Sequence, residues 1–154
     1  MAIMKQITVF LENVPGRLAT LCNTLEERGV NLQAMTTSET SEYGVVRMIV
    51  DDVDAATEAL KQVELPFSIV DVLGVEFPDK PGALGKVTLQ LANAGVNVDY
   101  AYITVASDSG NALGVFKVAD PPKAEAILLS ASSEDFRPGR LSKRYPDRGQ
   151  FSRL

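Results

Sequence analysis

The stretch Phe67-Ser68-Ile69-Val70-Asp71-Val72-Leu73-Gly74-Val75-Glu76-Phe77 decides the fold. It has no internal proline and no two-residue turn signal. Its composition favours β-structure, and it is about twice the usual strand length of roughly 5–6 residues. On either side of it the same succession occurs: a strand pattern, a Pro-Gly loop, a helix pattern, then Gly-Val-Asn opening another strand. The stretch therefore reads as the end of one copy of a module running into the beginning of the next, with Asp71 to Leu73 expected to form the crossover between two sheets.

The first copy can be followed from the N-terminus. Gln6 to Glu12 alternates and is β-branched or aromatic, the pattern of a strand. Asn13-Val14-Pro15-Gly16 is a turn in which proline fixes φ and glycine relieves crowding. From Arg17 the period becomes helical, with Leu18, Leu21, Cys22 and Leu25 on one face. Arg28-Gly29 is a helix stop. Asn31 to Thr40 and Tyr43 to Asp51 read as a hairpin joined by Ser41-Glu42. Asp52 to Lys61 reads as a second helix with Val53, Ala56, Ala59 and Leu60 inward, and Phe67 to about Asp71 as the fourth strand. The order is βαββαβ.

A shift of 66 superposes Pro15, Gly16, Leu18, Leu25, Gly29, Val30 and Asn31 on Pro81, Gly82, Leu84, Leu91, Gly95, Val96 and Asn97. Two residues enter near Asp108 to Asn111, and a shift of 68 then matches Val50, Asp52, Ala56 and Leu60 to Val118, Asp120, Ala124 and Leu128. An insertion confined to a turn is the mark of a duplication. The expected fold is α+β: two ferredoxin-like βαββαβ units, each a four-stranded antiparallel sheet with two helices on one face. The units are placed at residues 1–71 and 72–130. Neither would bury much core alone at about 65 residues, so pairing between them is the expected source of stability. The second copy departs at its end, where Phe136-Arg137-Pro138-Gly139-Arg140 cannot continue a ladder past the proline. Residues 131–154 read as a basic tail, loosely held or disordered. The open edge of the second sheet is left to a short piece such as Leu141 to Tyr145, to a second chain, or to nothing.

Composition narrows the function. The 154-residue chain is 45% hydrophobic and 23% charged, ordinary for a soluble domain. It has no histidine, which removes the commonest general base and metal ligand. Its single cysteine, Cys22, excludes an intrachain disulfide or a cysteine metal cluster, and reads as a small buried hydrophobe. No catalytic residues, metal or cofactor are expected, and a reducing, cytoplasmic location fits. No segment approaches the roughly 18 apolar residues of a membrane span, and Met1 to Leu11 reads as a strand, not a signal peptide. The tail carries six basic residues (Arg137, Arg140, Lys143, Arg144, Arg148, Arg153) against Glu134, Asp135 and Asp147. The rest of the chain is therefore at −8 against a total of −5, and so acidic a body disfavours nucleic acid as a partner.

The Pro-Gly loops are the places where chemistry could occur. Each precedes a helix directly, and a helix N-terminus offers unpaired N–H groups and a partial positive charge suited to a carboxylate. Asn13 and Asp79 stand two residues before the prolines, where Asn can donate or accept and Asp can hold an ammonium group. Asn31 and Asn97 open the second strand of each copy beside the same loop. Together these groups match both ends of a free α-amino acid.

Asn13-Val14-Pro15-Gly16-Arg17-Leu18 with Gly29-Val30-Asn31-Leu32, and Asp79-Lys80-Pro81-Gly82-Ala83-Leu84 with Gly95-Val96-Asn97-Val98, resemble the ACT domain. The resemblance covers Lys5 to Leu129. It implies a small-molecule sensor, mostly of amino acids, whose ligand lies where two ACT domains meet. By position it puts the polar loop residue on Asn13 and Asp79, the close-approach glycine on Gly16 and Gly82, and the strand-two asparagine on Asn31 and Asn97. The remaining motif residues, Val14, Pro15, Arg17, Leu18, Leu32, Lys80, Pro81, Ala83, Leu84 and Val98, complete the ligand-binding set. Without an attached enzyme domain, the chain is similar to stand-alone tandem ACT proteins. The partners implied are a free amino acid, a second copy in a homodimer, and a biosynthetic or amino-acid-metabolising enzyme, with no nucleic acid and no membrane. Some serine-sensing members carry a histidine where this chain has Leu11 and Phe77, which points to an apolar or larger ligand side chain.

Two other readings compete. One is a structural or interaction subunit of a metabolic enzyme, with vestigial sites, assembling through its sheet edges. The other is a small acyl-phosphate phosphatase in which Arg17 holds the phosphate; Ala83 at the matching position of the second copy speaks against it.

Overall fold

The structure is a computed structural model and describes residues 3–39, 42–105, 110–131 and 137–138. Leu141 to Tyr145, suggested above as an edge strand, lie outside the described residues. The elements are β1 (Ile3–Glu12), α1 (Arg17–Glu27), β2 (Leu32–Glu39), β3 (Tyr43–Val50), α2 (Val53–Gln62), β4 (Phe67–Pro78), α3 (Ala83–Asn93), β5 (Val98–Val105), β6 (Asn111–Val118), α4 (Pro121–Ser130) and β7 (Arg137–Pro138). Each half follows βαββαβ, and both are ferredoxin-like.

The expected crossover at Asp71 to Leu73 does not exist. β4 runs unbroken for 12 residues, and the strands form one antiparallel sheet in the order β2-β3-β1-β4-β6-β5. Phe67 to Leu73 pair with β1, and Leu73 to Pro78 pair with β6. Leu73 is bonded on both edges, opposite Ile3 and Phe116. β4 is thus the fourth strand of the first unit and the first strand of the second. Each unit keeps four strands by sharing it.

The same sharing explains why the last strand is short. β7 pairs Arg137 with Glu76 and Pro138 with Val75, and two residues further along the same edge β1 begins opposite Leu73. β1 and β7 divide one edge of β4, so β7 has room for very few residues. Pro138, which lacks an N–H, stands at the end of its ladder.

Both helix pairs cover the same face of the sheet. Ile7, Val9, Leu11, Val46, Met48 and Val50 pack with Leu21, Leu25, Ala56 and Leu60. Leu73, Val75, Phe77, Ala112, Phe116 and Val118 pack with Val87, Leu91, Ala124 and Leu128. In α1 the buried residues are Leu21, Thr24 and Leu25, while Leu18 is 41% exposed and Cys22 is only partly buried. The expectation of an inward Leu18 and a buried Cys22 is not met, because the buried stripe of α1 runs through Leu21, Thr24 and Leu25 instead. Thr24 can be buried because its hydroxyl donates to the Thr20 carbonyl oxygen at 2.8 Å.

The helix-free face is also buried, because the sheet curls until its edge strands β2 and β5 come into contact. Ala34, Ile49, Val72, Leu113 and Val115 form a third core there, flanked by Met4, Val70 and Tyr102. The units therefore pair through these faces, as their small size requires. The duplication extends to details of the backbone: the register shifts between Leu32 and Ala34 in β2 and, 66 residues later, between Val98 and Tyr100 in β5.

Candidate functional site

The two Pro-Gly loops have the same construction. In the first, the Asn13 N–H donates to the Glu42 carbonyl at 3.1 Å, Val14 to Glu12 at 2.9 Å, and Arg17 to Val14 at 3.4 Å. In the second, Asp79 donates to Gly110 at 2.9 Å, Lys80 to Pro78 at 2.9 Å, and Ala83 to Lys80 at 3.2 Å. Each loop is thus tied to the tip of its own unit's hairpin, and the chain enters the helix through a glycine with φ of +91° (Gly16) or +85° (Gly82). That left-handed conformation is the reason for glycine. Among the described residues, a Cβ at either glycine would meet nothing within 4 Å, so none of them closes over either turn.

These two helix ends differ from the other two. Asp52 caps α2 by accepting from the Ala55 N–H at 2.9 Å, and Asp120 caps α4 by accepting from Lys123 at 3.0 Å. α1 and α3 begin at Gly16 and Gly82 without a side-chain cap. The Arg17 and Ala83 N–H groups turn back to the loop, and the other first-turn N–H groups are left for water or a ligand. The chain uses capping aspartates elsewhere, so the uncapped ends belong specifically to the Pro-Gly loops.

Asn13, Val14, Pro15, Gly16, Arg17 and Leu18 are all exposed, as are Asp79, Lys80, Pro81 and Gly82; Ala83 is buried and Leu84 half-buried. Arg17 donates to the Glu12 carboxylate at 2.7 Å. It is held by its own unit, and an exposed pair of this kind contributes about 0–1 kcal/mol. The Asn31 N–H donates to the Asp51 carboxylate at 2.8 Å, and the Asp51 N–H to the Asn31 carbonyl at 3.1 Å, closing the base of the β2–β3 hairpin beside Leu32. In the second unit Ala119 follows β6, and the Asn97 side chain, next to the half-buried Val98, donates to Asp99 at 3.0 Å.

The ladder fixes where the loops lie. The first follows β1 beyond the N-terminal end of β4, and the second follows the C-terminal end of β4, so they stand at opposite ends of the shared strand. The end with Asn13 is also the end where Asn97 opens β5, and the end with Asp79 is where Asn31 opens β2. Among the described residues, no hydrogen bond joins either loop to the asparagine of the other unit. Each polar group stays with its own unit.

One polar cluster went unread in the sequence. Gln6, fully buried on β1, donates to Thr8 Oγ1 at 3.1 Å and to the Tyr100 hydroxyl at 2.7 Å, and its Oε1 accepts from the Tyr102 hydroxyl at 3.0 Å. Arg47 lies over the Tyr100 ring, 4.3 Å from its centre, and donates to Ser38 at 2.9 Å. Burial, and then Tyr100, push the Tyr102 hydroxyl well above the usual phenol range, partly opposed by Arg47. The signal was a glutamine in β1 where the repeat has Val72. Among the described residues, no group of three or more His, Cys, Asp or Glu side chains comes together as a metal site, and no helix is long and apolar enough to cross a membrane.

The family described as the ACT domain pair matches residues 1–137. Among solved structures, a protein from Bacteroides thetaiotaomicron is 34% identical with a TM-score of 0.79, over 84% of this chain and 89% of that one. The ligand-free regulatory subunit of aspartate kinase from Thermus thermophilus is 18% identical with a TM-score of 0.62, over 86% of this chain and 95% of that one. The corresponding subunit from Thermus flavus is 20% identical with a TM-score of 0.58, over 84% and 94%. The two Thermus proteins share the fold. Comparison with curated proteins gave no match.

Proposed function

The chain belongs to the ACT domain pair family, and from that premise we propose that it is a regulatory protein that binds a free amino acid at its Pro-Gly loops and controls an enzyme of amino-acid metabolism in trans. The observation that carries this reading is the pair of uncapped helix ends beneath open space at Gly16 and Gly82, in a chain that caps its other two helices with Asp52 and Asp120. A ligand carboxylate would accept from the free N–H groups, each charge-assisted bond contributing about 1.5–3 kcal/mol. Asn13 or Asp79 would hold the ammonium end. Among the described residues nothing comes within 4 Å of a Cβ at either loop glycine, which leaves room for a second ACT domain at each site, supplied by another copy in a homodimer. Binding in the range of roughly micromolar to millimolar, or about −8 to −4 kcal/mol, suits the sensing of metabolite pools. The aspartate kinase regulatory subunits, alike in fold, offer a precedent for this architecture as a chain separate from its enzyme. A cytoplasmic location follows from the proposed partner.

Calorimetry and thermal shift with each of the twenty amino acids on the full chain test the proposal. One amino acid or a related group is expected to raise the melting temperature, with the response lost in Gly16→Ala or Gly82→Ala. Silence from all twenty, with the protein folded, rules out the ligand. A second reading then gains: assembly with vestigial sites. It is favoured by edge strand β5, where Ala101, Ile103 and Val105 are exposed along one face, and solution mass measurement distinguishes it.

A further inference from the structure

The helix-free faces of the two units pack about a pseudo-twofold relation, and its two halves are chemically different. The repeat pairs Gln6 with Val72, Thr8 with Gly74, Tyr100 with Ala34, Tyr102 with Thr36, and, past the insertion, Arg47 with Val115. One half is the hydrogen-bonded cluster in which Gln6 reaches Tyr100 and Tyr102 and Arg47 covers Tyr100. The other half is dry: Val72, Ala34 and Val115 pack together with Ile49 and Leu113. A common ancestral interface would have had two equal halves. This one does not.

We propose that the dry half is a pivot and the polar half a latch, so that the two units move relative to one another by opening at Gln6, Tyr100 and Tyr102 while Val72, Ala34 and Val115 stay closed. The reason is what water does to each half on opening. Carboxamide, hydroxyl and guanidinium groups exchange their partners for water at little net loss. Valine, isoleucine and leucine have no such exchange and lose their burial outright. β4 joins the units without a loop, so a small rocking about the side that stays packed is the motion left to them. The latch lies toward the end with the first loop and Asn97, since β1 leads from Gln6 to Asn13 and Tyr100 follows Asn97 by three residues. The pivot lies toward the second loop and Asn31. This deepens the proposed function by making the two ends inequivalent: binding at the first is coupled to the latch and binding at the second is not.

The test is amide hydrogen exchange on the full chain with no amino acid present, so its outcome is independent of whether the loops bind one. Gln6→Leu, which keeps the volume, is expected to speed exchange roughly tenfold in peptides from β1 and β5 while leaving the β4–β6 peptides unchanged, a local opening worth about one to two hydrogen bonds. Tyr102→Phe, which removes a single oxygen, is expected to act in the same direction, and it decides the matter if Gln6→Leu does not fold. Val72→Ala is expected to speed exchange throughout. Equal acceleration in both halves by Gln6→Leu or Tyr102→Phe, or no acceleration by either, overturns the latch. If the latch holds and no amino acid binds in the thermal screen, the motion stands and only its link to sensing is lost.

Discussion

Gly114 is the position where the duplicated core has been rebuilt. It lies in β6 opposite Val75 and Ile103, and a Cβ there would stand 2.6 and 2.9 Å from the Phe116 ring and 3.0 Å from the Phe77 ring. Both rings are buried beneath α3 and α4, Phe116 completely. The repeat puts Val46, Met48 and Leu11 in the corresponding places of the first unit, all buried. One unit fills the space with valine, methionine and leucine; the other uses two phenylalanines and leaves the strand bare to admit them. Gly114→Ala sets two effects against each other. Removing glycine from a strand interior gains roughly 0.5–1 kcal/mol. Forcing a methyl group to within 3 Å of two packed rings costs about 1–3 kcal/mol, and the clash is expected to win because both rings are buried in the core. At about 2–4 °C per kcal/mol for a chain of this size, the melting temperature falls by several degrees, and Gly114→Val falls further. The triple variant Gly114→Val, Phe116→Met, Phe77→Leu copies the first unit's packing and is expected to regain most of the loss. Urea unfolding at 25 °C gives the free energies, with an unchanged m-value confirming that the native state is the one affected. Should Gly114→Ala equal or exceed the parent in stability, or the triple variant fall below Gly114→Val, the account of compensating volumes is wrong.

Asp52→Ala and Asp120→Ala should each cost about 1 kcal/mol by leaving a helix end uncapped; urea midpoints read this, and an unchanged midpoint in either contradicts the assigned cap. Because the fold holds the Tyr102 proton to higher pH than the unfolded chain does, its contribution is complete below about pH 10 and is lost as pH rises above that value. The fall in unfolding free energy from pH 9 to pH 11 should therefore be smaller in Tyr102→Phe than in the parent, and equal slopes would contradict it. Inserting Gly-Ser between Val72 and Leu73 displaces everything after it by two residues along a ladder in which Leu73 must meet both Ile3 and Phe116; a strong loss of thermal stability by circular dichroism is expected, and an unchanged melting curve would mean that the strand is not shared.

The repeat, the two βαββαβ units, the helix ends and the hairpins were legible because they rest on local chemistry: Pro-Gly turns, an aspartate at each of two helix starts, a change of period at Arg17. The single sheet was not. A run such as Phe67 to Phe77 reads the same whether it bends between two sheets or is bonded on both edges; the difference lies in Ile3 and Phe116, far away in sequence. Leu18 was misplaced because periodicity gives a helix its apolar side without saying how much of that side its neighbours cover. Gln6 and Tyr100 were missed because their significance is mutual, across 94 residues. The loop residues could be read as candidates from the turn chemistry, yet nothing local reveals that the two loops stand at opposite ends of one strand.

That separation bears on what an amino acid could do here. A ligand shifts a conformational equilibrium by no more than its difference in affinity between the two states, and sensing at micromolar to millimolar levels limits the whole binding energy to about 4–8 kcal/mol. Exposing the dry half would uncover Val72, Ile49, Leu113 and Val115, each nearly or fully buried. At about 1.5–3 kcal/mol apiece that already exceeds what a ligand of middling affinity can supply. Opening the polar half breaks the two hydrogen bonds from Gln6 to Tyr100 and Tyr102, of about 0.5–1.5 kcal/mol each, and a cation–π contact of about 0.5–1 kcal/mol. The total of roughly 1.5–4 kcal/mol falls within reach. The unbroken ladder of β4 offers no softer route, because parting it would leave the backbone of Asp71 to Leu73 without partners. Of the two loops, then, the one at Asn13 has a conformational change it can drive. The one at Asp79 faces the rigid half of the interface, where binding can add stability but cannot move the units.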